Sequence, residues 1–281
     1  MSTVVPTSVR QVIPLVVGWE RLPLSYSIHG DRSGEILIEP VPAVLLDTDD
    51  GWTLIDTGIN TALVRDRAFY ERLHGRNHAI VPILPEGEGE PLENALSPHG
   101  VTLDDIARIY LSHLHNDHAG GLRLFGSSVP VWVQRTELEY GLGDHPFPER
   151  HGMFRIDFDD PDIDWRLQDG DGELAPGITA VLTPGHTPGH QSFVVDLPGG
   201  EGYVFAFDAG DLTENFDREL AVGGFVHCEA EDTLAPIREL KRIAAERGYR
   251  LIPGHDPKVW PALLEELAPG VTPLTPGALP S

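Results

Sequence analysis

The sequence predicts a layered α/β fold, on three observations. Short apolar runs rich in Val and Ile alternate with stretches of helical periodicity, as buried strands do when helices connect them. The chain has 281 residues and a hydrophobic content of 41%, with 5 Trp and 10 Phe, enough for a substantial core in one domain. Several of the apolar runs end directly on a histidine or an aspartate, which puts the polar chemistry at strand ends.

Residues 41–46, interrupted by Pro42, and 52–55 read as two strands joined by the turn Asp49-Asp50-Gly51. Thr102-Leu103-Asp104-Asp105 has the form of a capping box, with acidic residues suited to a helix start. Residues 108–111 form the next strand, followed by strands at 129–134, 178–182, 192–196, 203–207 and 250–252. A helix is expected from Asp232. Leu234, Ile237, Leu240 and Ala244 share one face, Pro236 falls in the first turn, and Arg247-Gly248 closes it. Residues 85–91 read as an acidic loop, and 141–161 as an irregular segment. The expected organisation is a single domain over 1–281, with a core at about 41–268 and an extended tail from 269 to 281.

The formal net charge is −24, a field that repels nucleic acid and anionic membrane surfaces and points to a small-molecule partner. One cysteine, Cys228, rules out an intrachain disulfide and reads as a small buried apolar residue. No apolar run approaches membrane-spanning length, and the N-terminus makes a poor signal peptide. The expected location is the cytoplasm.

The run Ser112-His113-Leu114-His115-Asn116-Asp117-His118-Ala119-Gly120-Gly121 packs three imidazoles and a carboxylate into six positions. In an extended segment His113 and His115 project to the same side, so one metal can take both. Asp117 and His118 follow where the chain turns toward a helix, and reach a second metal nearby. Gly120 and Gly121 allow close backbone approach. Imidazole suits zinc, iron and related metals, and a carboxylate can bridge two cations. Two cations about 3.5–4 Å apart can share a water and lower its pKa toward neutrality. The turn Thr183-Pro184-Gly185-His186-Thr187-Pro188-Gly189-His190 presents two imidazoles. Spacing does not choose between them, and the other is expected to give a supporting hydrogen bond from behind. Asp208 ends an apolar strand, where a carboxylate is costly unless paired or bound to metal. His255 sits just after another strand, with Asp256 as either its partner or a solvated loop residue. Asp56, which ends the strand 52–55, reads as support behind the ligands.

Together, Leu54-Ile55-Asp56-Thr57-Gly58, the His-x-His-x-Asp-His run, Thr-Pro-Gly-His, Asp208 and Gly254-His255 resemble the metallo-β-lactamase superfamily, from about Val41 to Asp256. Val133-Gln134-Arg135-Thr136-Glu137, Thr213-Glu214-Asn215-Phe216 and Gly254-His255-Asp256 look most like its N-acyl-homoserine lactone lactonases. The resemblance implies an αββα sandwich of two mixed sheets. It implies His113, His115 and His186 on one metal, Asp117, His118 and His255 on the other, and Asp208 bridging, with His190 behind. The implied cofactors are two divalent ions, zinc first, with iron, manganese or cobalt also suited. Homodimers are common among such relatives.

The implied reaction is hydrolysis of a lactone or ester, with Asp117 carrying the proton from nucleophile to leaving group and Asp208 the other catalytic carboxylate. The chain departs from the pattern at Asp211, where the lactonases usually carry a tyrosine that meets the substrate carbonyl. It departs again at Asn116, a position often aromatic. Tyr140, His145 and His151 are candidates to replace the tyrosine, and Phe147, Met153, Phe154 and Phe158 either line an acyl-chain pocket or anchor a surface loop. A thioesterase of the glyoxalase II type, another ester hydrolase and a non-catalytic metal-binding module are the alternatives. The few cations after His255, chiefly Lys258, count against the glyoxalase.

Overall fold

The computed structural model describes residues 7–74, 79–127, 129–144, 152–224 and 226–278. Two sheets face each other. The first has seven strands in the order β4 (Val81–Ile83), β1 (Val9–Pro23), β2 (Ile36–Thr48), β3 (Gly51–Ile55), β5 (Ile106–Tyr110), β6 (Pro130–Gln134), β7 (Asp164–Gln168). The second has five, β12 (Arg250–Pro253), β11 (Gly202–Phe207), β10 (Gln191–Asp196), β9 (Ile178–Leu182), β8 (Gly172–Ala175). Both are mixed. β3, β5, β6 and β7 run parallel to one another, as do β11 and β12, and the remaining pairs are antiparallel.

Alternation along each strand makes the layers. Val44, Leu46, Ile55 and Tyr110 point inward and meet Ile178, Phe193, Phe205 and Phe207 of the second sheet. Leu45, Leu54, Ile109 and Val131 point the other way, into a second core with α3 (Pro91–Leu96) and α9 (Val259–Leu267). On the far side of the second sheet, Val194, Val204 and Ala206 pack against Ile237, Leu240 and Ala244 of α8 (Leu234–Arg247). The result is the expected αββα sandwich. α8 ends as its sequence indicates, with Gly248 in the left-handed region at φ 69°.

Three expectations need correction, and the tail is fixed along its described length. The core begins at Val9, not near Val41. β1 is fifteen residues long and buried on both faces, so it shows no alternation to read. Pro14 is tolerated because β1 has a strand on one side only there; β4 pairs only with Trp19–Arg21. The capping box at Thr102 forms, but it closes a single 3₁₀ turn, because the chain enters β5 at Ile106. Residues 269–278 of the expected tail are tied to the rest of the chain. The Glu86 amide donates to the Thr275 carbonyl at 3.0 Å and the Gly277 amide to Leu84 at 2.9 Å, while Leu274 packs into the core. Cys228 is exposed rather than buried, its thiol donating to the Gly185 carbonyl.

One brace holds the loops at the polar edge in position. α5 (Arg135–Gly141) carries Glu137 into the interior, where it is fully buried. Its carboxylate accepts from the Leu114 amide at 2.9 Å, the Thr187 hydroxyl at 2.7 Å and the Gly189 amide at 2.9 Å. The histidine-rich run is thereby tied to the 183–190 turn. Gly189 has to lack a side chain, since a Cβ there would lie 2.3 Å from the Glu137 nitrogen. Burial pushes this carboxyl from its ordinary 4.5 up to about 7, against the three donors that lower it.

Glu137 therefore takes up a proton on folding between those two values. Its stabilising contribution is full below pH 4.5 and is lost as pH rises through about 7. Unfolding free energies measured across that window should fall less steeply for Glu137→Gln than for the parent. Glu137→Ala strands two amides and a hydroxyl and should cost about 3 kcal/mol or more. An alanine variant within about 1 kcal/mol of the parent would dismiss the brace.

Candidate metal centre

Seven side chains from four strand ends converge on one point at the edge of the two sheets. β5 ends at Tyr110, and the chain runs on extended through His115, at φ −67° and ψ 154°. His113 and His115 thus project together. One helical turn, α4 (Asn116–Ala119), then carries Asp117 and His118. The turn after β9 brings His186, Asp208 follows β11, and His255 follows β12. All seven are buried. Gly120 and Gly121 seat α4 as expected, because a Cβ on Gly120 would lie 2.2 Å from the Asn60 nitrogen, and one on Gly121 2.2 Å from the Thr57 carbonyl.

The seven fall into two donor sets that share a member. His113, His115, His186 and Asp208 form one, and Asp117, His118, His255 and Asp208 the other, each with donor atoms within 4.8 Å of one another. Asp208 divides its oxygens between them. Oδ2 lies 3.1 Å from His186 Nε2 and 3.7 Å from His113 Nε2. Oδ1 lies 3.2 Å from His118 Nε2 and 3.1 Å from His255 Nε2. Asp117 Oδ2 stands 3.0 Å from His118 Nε2 and 3.8 Å from His255 Nε2.

The far ring nitrogens show which way the lone pairs point. His118 Nδ1 donates to Asp56 Oδ2 at 2.7 Å and His255 Nδ1 to the Pro40 carbonyl at 2.9 Å. The Ser112 hydroxyl gives its proton to Asp56 at 2.6 Å, so it accepts from His113 Nδ1 at 2.9 Å. With Nδ1 protonated in each ring, Nε2 faces the centre as a lone pair. The Nε2 atoms of His113 and His118 are buried without a hydrogen-bond partner, and His186 Nε2 meets His115 Nδ1 at 2.8 Å. Converging lone pairs and a shared carboxylate are the donors that two divalent cations require, so the residues fit the ions.

Electrostatics separate the two sets: burial lowers His118 and His255, but Asp117 and Asp208 outweigh it and hold both well above the usual histidine range, so a cation bound there would displace a proton from each Nε2. Burial, then the neighbouring imidazoles, holds His113 and His115 well below the usual histidine range, hence neutral. At Asp208 burial works the other way, but His118, His255, His186 and His113 outweigh it and keep the carboxylate ionised.

Backbone strain accompanies this geometry. Asp56 and Phe207, at the ends of β3 and β11, sit in the left-handed region at φ 59° and 47°. The first turns its carboxylate under Ser112 and His118, and the second precedes Asp208. Non-glycine residues hold such angles at a cost of about 1–3 kcal/mol, typically at functional sites.

The remaining expected residues divide clearly. Asp56 lies behind His118 and Ser112, as anticipated. His190 does not hydrogen-bond to a donor of either set. Its Nδ1 pairs with Thr183 Oγ1 at 2.8 Å, Nε2 has no partner, and the ring packs 5.1 Å from that of His113. Asp256 turns away from His255 to accept from Thr213, Lys258 and Val259 at the start of α9. Asn116 and Asp211 line the cavity over the donor sets. Tyr140 does not line it; its hydroxyl pairs with His227 Nδ1 at 2.6 Å. Met153 and Phe158 belong to the core and Phe154 is fully buried, so they anchor the segment rather than form an acyl pocket. His145, Phe147 and His151 lie outside the described residues.

Three groups were given no role by the sequence, although Glu137 closes the quoted run that begins at Val133. His227 Nε2 approaches His115 Nε2 at 3.3 Å, backing the ligand from behind, with Tyr140 behind it in turn. Glu137 is the brace described above. Glu20 and Glu39 line the cavity beside Asp211. Burial raises all three of these cavity carboxyls, Glu39 to about 7, with Asp117 adding to the rise at Glu20 and Asp208 at Asp211.

Comparison with known proteins gives the same picture. The profile of the metallo-beta-lactamase superfamily matches residues 38–255. An N-acyl homoserine lactonase of Bacillus thuringiensis is 33% identical over 224 residues, 79% of this chain and 84% of the relative. The N-acyl homoserine lactonase AttM of Azorhizobium caulinodans is 32% identical, over 82% of this chain and 86% of its own. A crystal structure of an N-acyl homoserine lactone hydrolase, with the product N-hexanoyl-L-homoserine at its catalytic metal centre, superposes with a TM-score of 0.77 at 30% identity. It covers 90% of this chain and 95% of that one. The chain belongs to the metallo-beta-lactamase superfamily and, within it, to the family of the N-acyl homoserine lactonases.

Proposed function

We propose that this enzyme opens the ring of N-acyl homoserine lactones by metal-dependent hydrolysis. The observation that carries the reading is the pair of buried donor sets sharing Asp208, beneath a cavity lined by Asn116, Asp117, Asp208 and His255. In it, His113, His115 and His186 hold one ion, Asp117, His118 and His255 the second, and Asp208 both. Zinc is the metal we favour, since imidazole and carboxylate donors suit it without excluding iron, manganese or cobalt. Two such cations would polarise the ester carbonyl and lower the pKa of a shared water toward neutrality.

The chain's own groups do the rest. Water adds to the carbonyl carbon, the ring C–O bond breaks, and the departing alkoxide needs a proton. Asp117 lines the cavity and touches the second donor set, so it can take that proton from the water and deliver it to the leaving oxygen. Asp208 holds both sets in register through its two oxygens. Asp56, Ser112, Pro40 and His227 fix the imidazole orientations from behind.

The reading takes the chain as one domain acting in the cytoplasm, with a homodimer as its expected assembly. A single cysteine fits a reducing compartment. Among the described residues no helix is long and apolar enough to cross a membrane. Hydrolysis of another ester or thioester is the second reading. Asp211 favours it, standing where the lactonases usually carry the tyrosine that meets the substrate carbonyl.

The test is pH-stat hydrolysis of short- and long-chain N-acyl homoserine lactones, with metal measured in the same sample. Turnover is expected at about two metals per chain. His115→Ala should lose turnover together with one of the ions. Two bound metals without lactone turnover would shift the assignment to the second reading. His227→Phe should weaken metal retention about 10–100-fold in chelator competition, with Tyr140→Phe affecting it less. Unchanged retention in His227→Phe would show that His115 needs no backing.

A further inference from the structure

The cavity over the donor sets contains one polar group that holding the metals does not use. Asn116 opens α4 between His115, a donor of the first set, and Asp117, a donor of the second. It lines the cavity together with His115, Asp117, His186, Asp208 and His255. Asn116 is 7% exposed, and its carboxamide has no hydrogen-bond partner among the described residues. Its polar atoms are not among those shut off from the surface, so the little they expose opens onto the cavity. Two N–H donors nearly withdrawn from water, with no acceptor from the protein, are costly to maintain unless an acceptor arrives.

The group is also held in place. The Asn116 backbone amide donates to the Gly152 carbonyl at 2.9 Å. Gly152 sits at φ 85°, and a Cβ there would lie 3.3 Å from the His115 ring and 3.6 Å from Asn116 Oδ1, with Nδ2 farther off. The NH2 end is therefore the one turned away from the segment that fixes the residue. Apart from the imidazoles, only Asn116 and Tyr26 among the described lining residues carry an amide or hydroxyl donor. Tyr26 is half-buried and comes from the 3₁₀ turn Leu24–Tyr26, remote in sequence from the metal donors. The rest of the polar wall consists of the carboxyls Glu20, Glu39 and Asp211.

We propose that Asn116 is a catalytic residue: its Nδ2–H donates to the carbonyl oxygen of the lactone as water adds and that oxygen becomes an oxyanion. The assignment rests on the hydrolase reading above. Charge developing beside carboxyl groups needs a donor that adds no charge of its own, keeps its proton and does not move during the step. A fixed carboxamide meets all three conditions. The proton balance of the reaction is unchanged. Asn116 gives up no proton, and its hydrogen bond relaxes when the ring C–O bond breaks and the carbonyl re-forms.

Asn116→Leu keeps the shape and removes the donor, and Asn116→Ala repeats the test with less bulk. Both should retain the parent's metal content. On N-hexanoyl-L-homoserine lactone, kcat should fall about 100-fold or more, with KM within about threefold of the parent. A loss confined to KM would place the carboxamide against a non-reacting part of the substrate and overturn the assignment. Loss of kcat in Tyr26→Phe, with none in either Asn116 variant, would give the role to Tyr26. Binding separates the donor from the reading it rests on. The five-membered cyclic phosphinic acid 1-hydroxyphospholane 1-oxide has a tetrahedral anionic centre, like the adduct, and no bond to hydrolyse. By calorimetry, its affinity for the metal-loaded enzyme should fall about tenfold or more in both variants. Equal affinity in parent and variants removes Asn116 from the reacting centre whatever the turnover. If the parent holds both metals and hydrolyses no lactone, yet binds the phosphinate tighter than the variants by that factor, the hydrolase reading fails and the donor position stands. Either variant decides the outcome if the other fails to hold its metals.

Discussion

The buried carboxylate of Asp208 is the constraint to which the polar edge of this molecule answers. It ends an apolar strand inside the protein, where an isolated charge is prohibitive, and imidazoles of both donor sets close on its two oxygens. Those imidazoles must be neutral and correctly turned, so each far nitrogen needs its own acceptor or neighbour. Ser112, Asp56, Pro40 and His227 meet that need for His113, His118, His255 and His115, each from a different part of the chain, while His186 Nδ1 is buried without a hydrogen-bond partner. Supporting residues of this kind are what a hydrolytic metal site requires beyond its ligands.

The same requirement explains the placement of strain and close contact. Asp56 and Phe207 hold left-handed backbone angles where β3 and β11 hand the chain over to the site. Gly120, Gly121 and Gly189 sit where a methyl group would collide with another backbone. The sandwich supplies rigid strand ends, and these local departures aim the side chains from them.

How much of this was legible in the sequence depends on whether a signal is local. The ligands were readable because His-x-His-x-Asp-His is contiguous and because Asp208 and His255 follow apolar strands directly. Strands with one-sided patterns or compact apolar runs, such as β9, β10 and β11, were readable for the same reason. β1 was not, since burial on both faces erases alternation and Pro14 reads as a break. Glu137 and His227 act across the fold, and a lone Glu or His carries no mark of the partner it will meet. His190 looked equivalent to His186 by spacing. The family resemblance, not the spacing, pointed to His186, and the structure puts His186 in a donor set and His190 against Thr183. Glu20 and Glu39 face each other across β1 and β2, a pairing set by the register of a strand that the sequence did not reveal.

The order of the elements along the chain has a consequence for how the centre is assembled. The donor set of His113, His115, His186 and Asp208 is complete once β11 has been made. The other set waits for His255, which comes into place only when α8 has crossed back and β12 has paired parallel to β11. α9, which follows, packs against β1, the first strand of all. In chain order, therefore, every residue of the first set precedes β12, and the second set is completed only by the last strand, next to the helix that packs against β1.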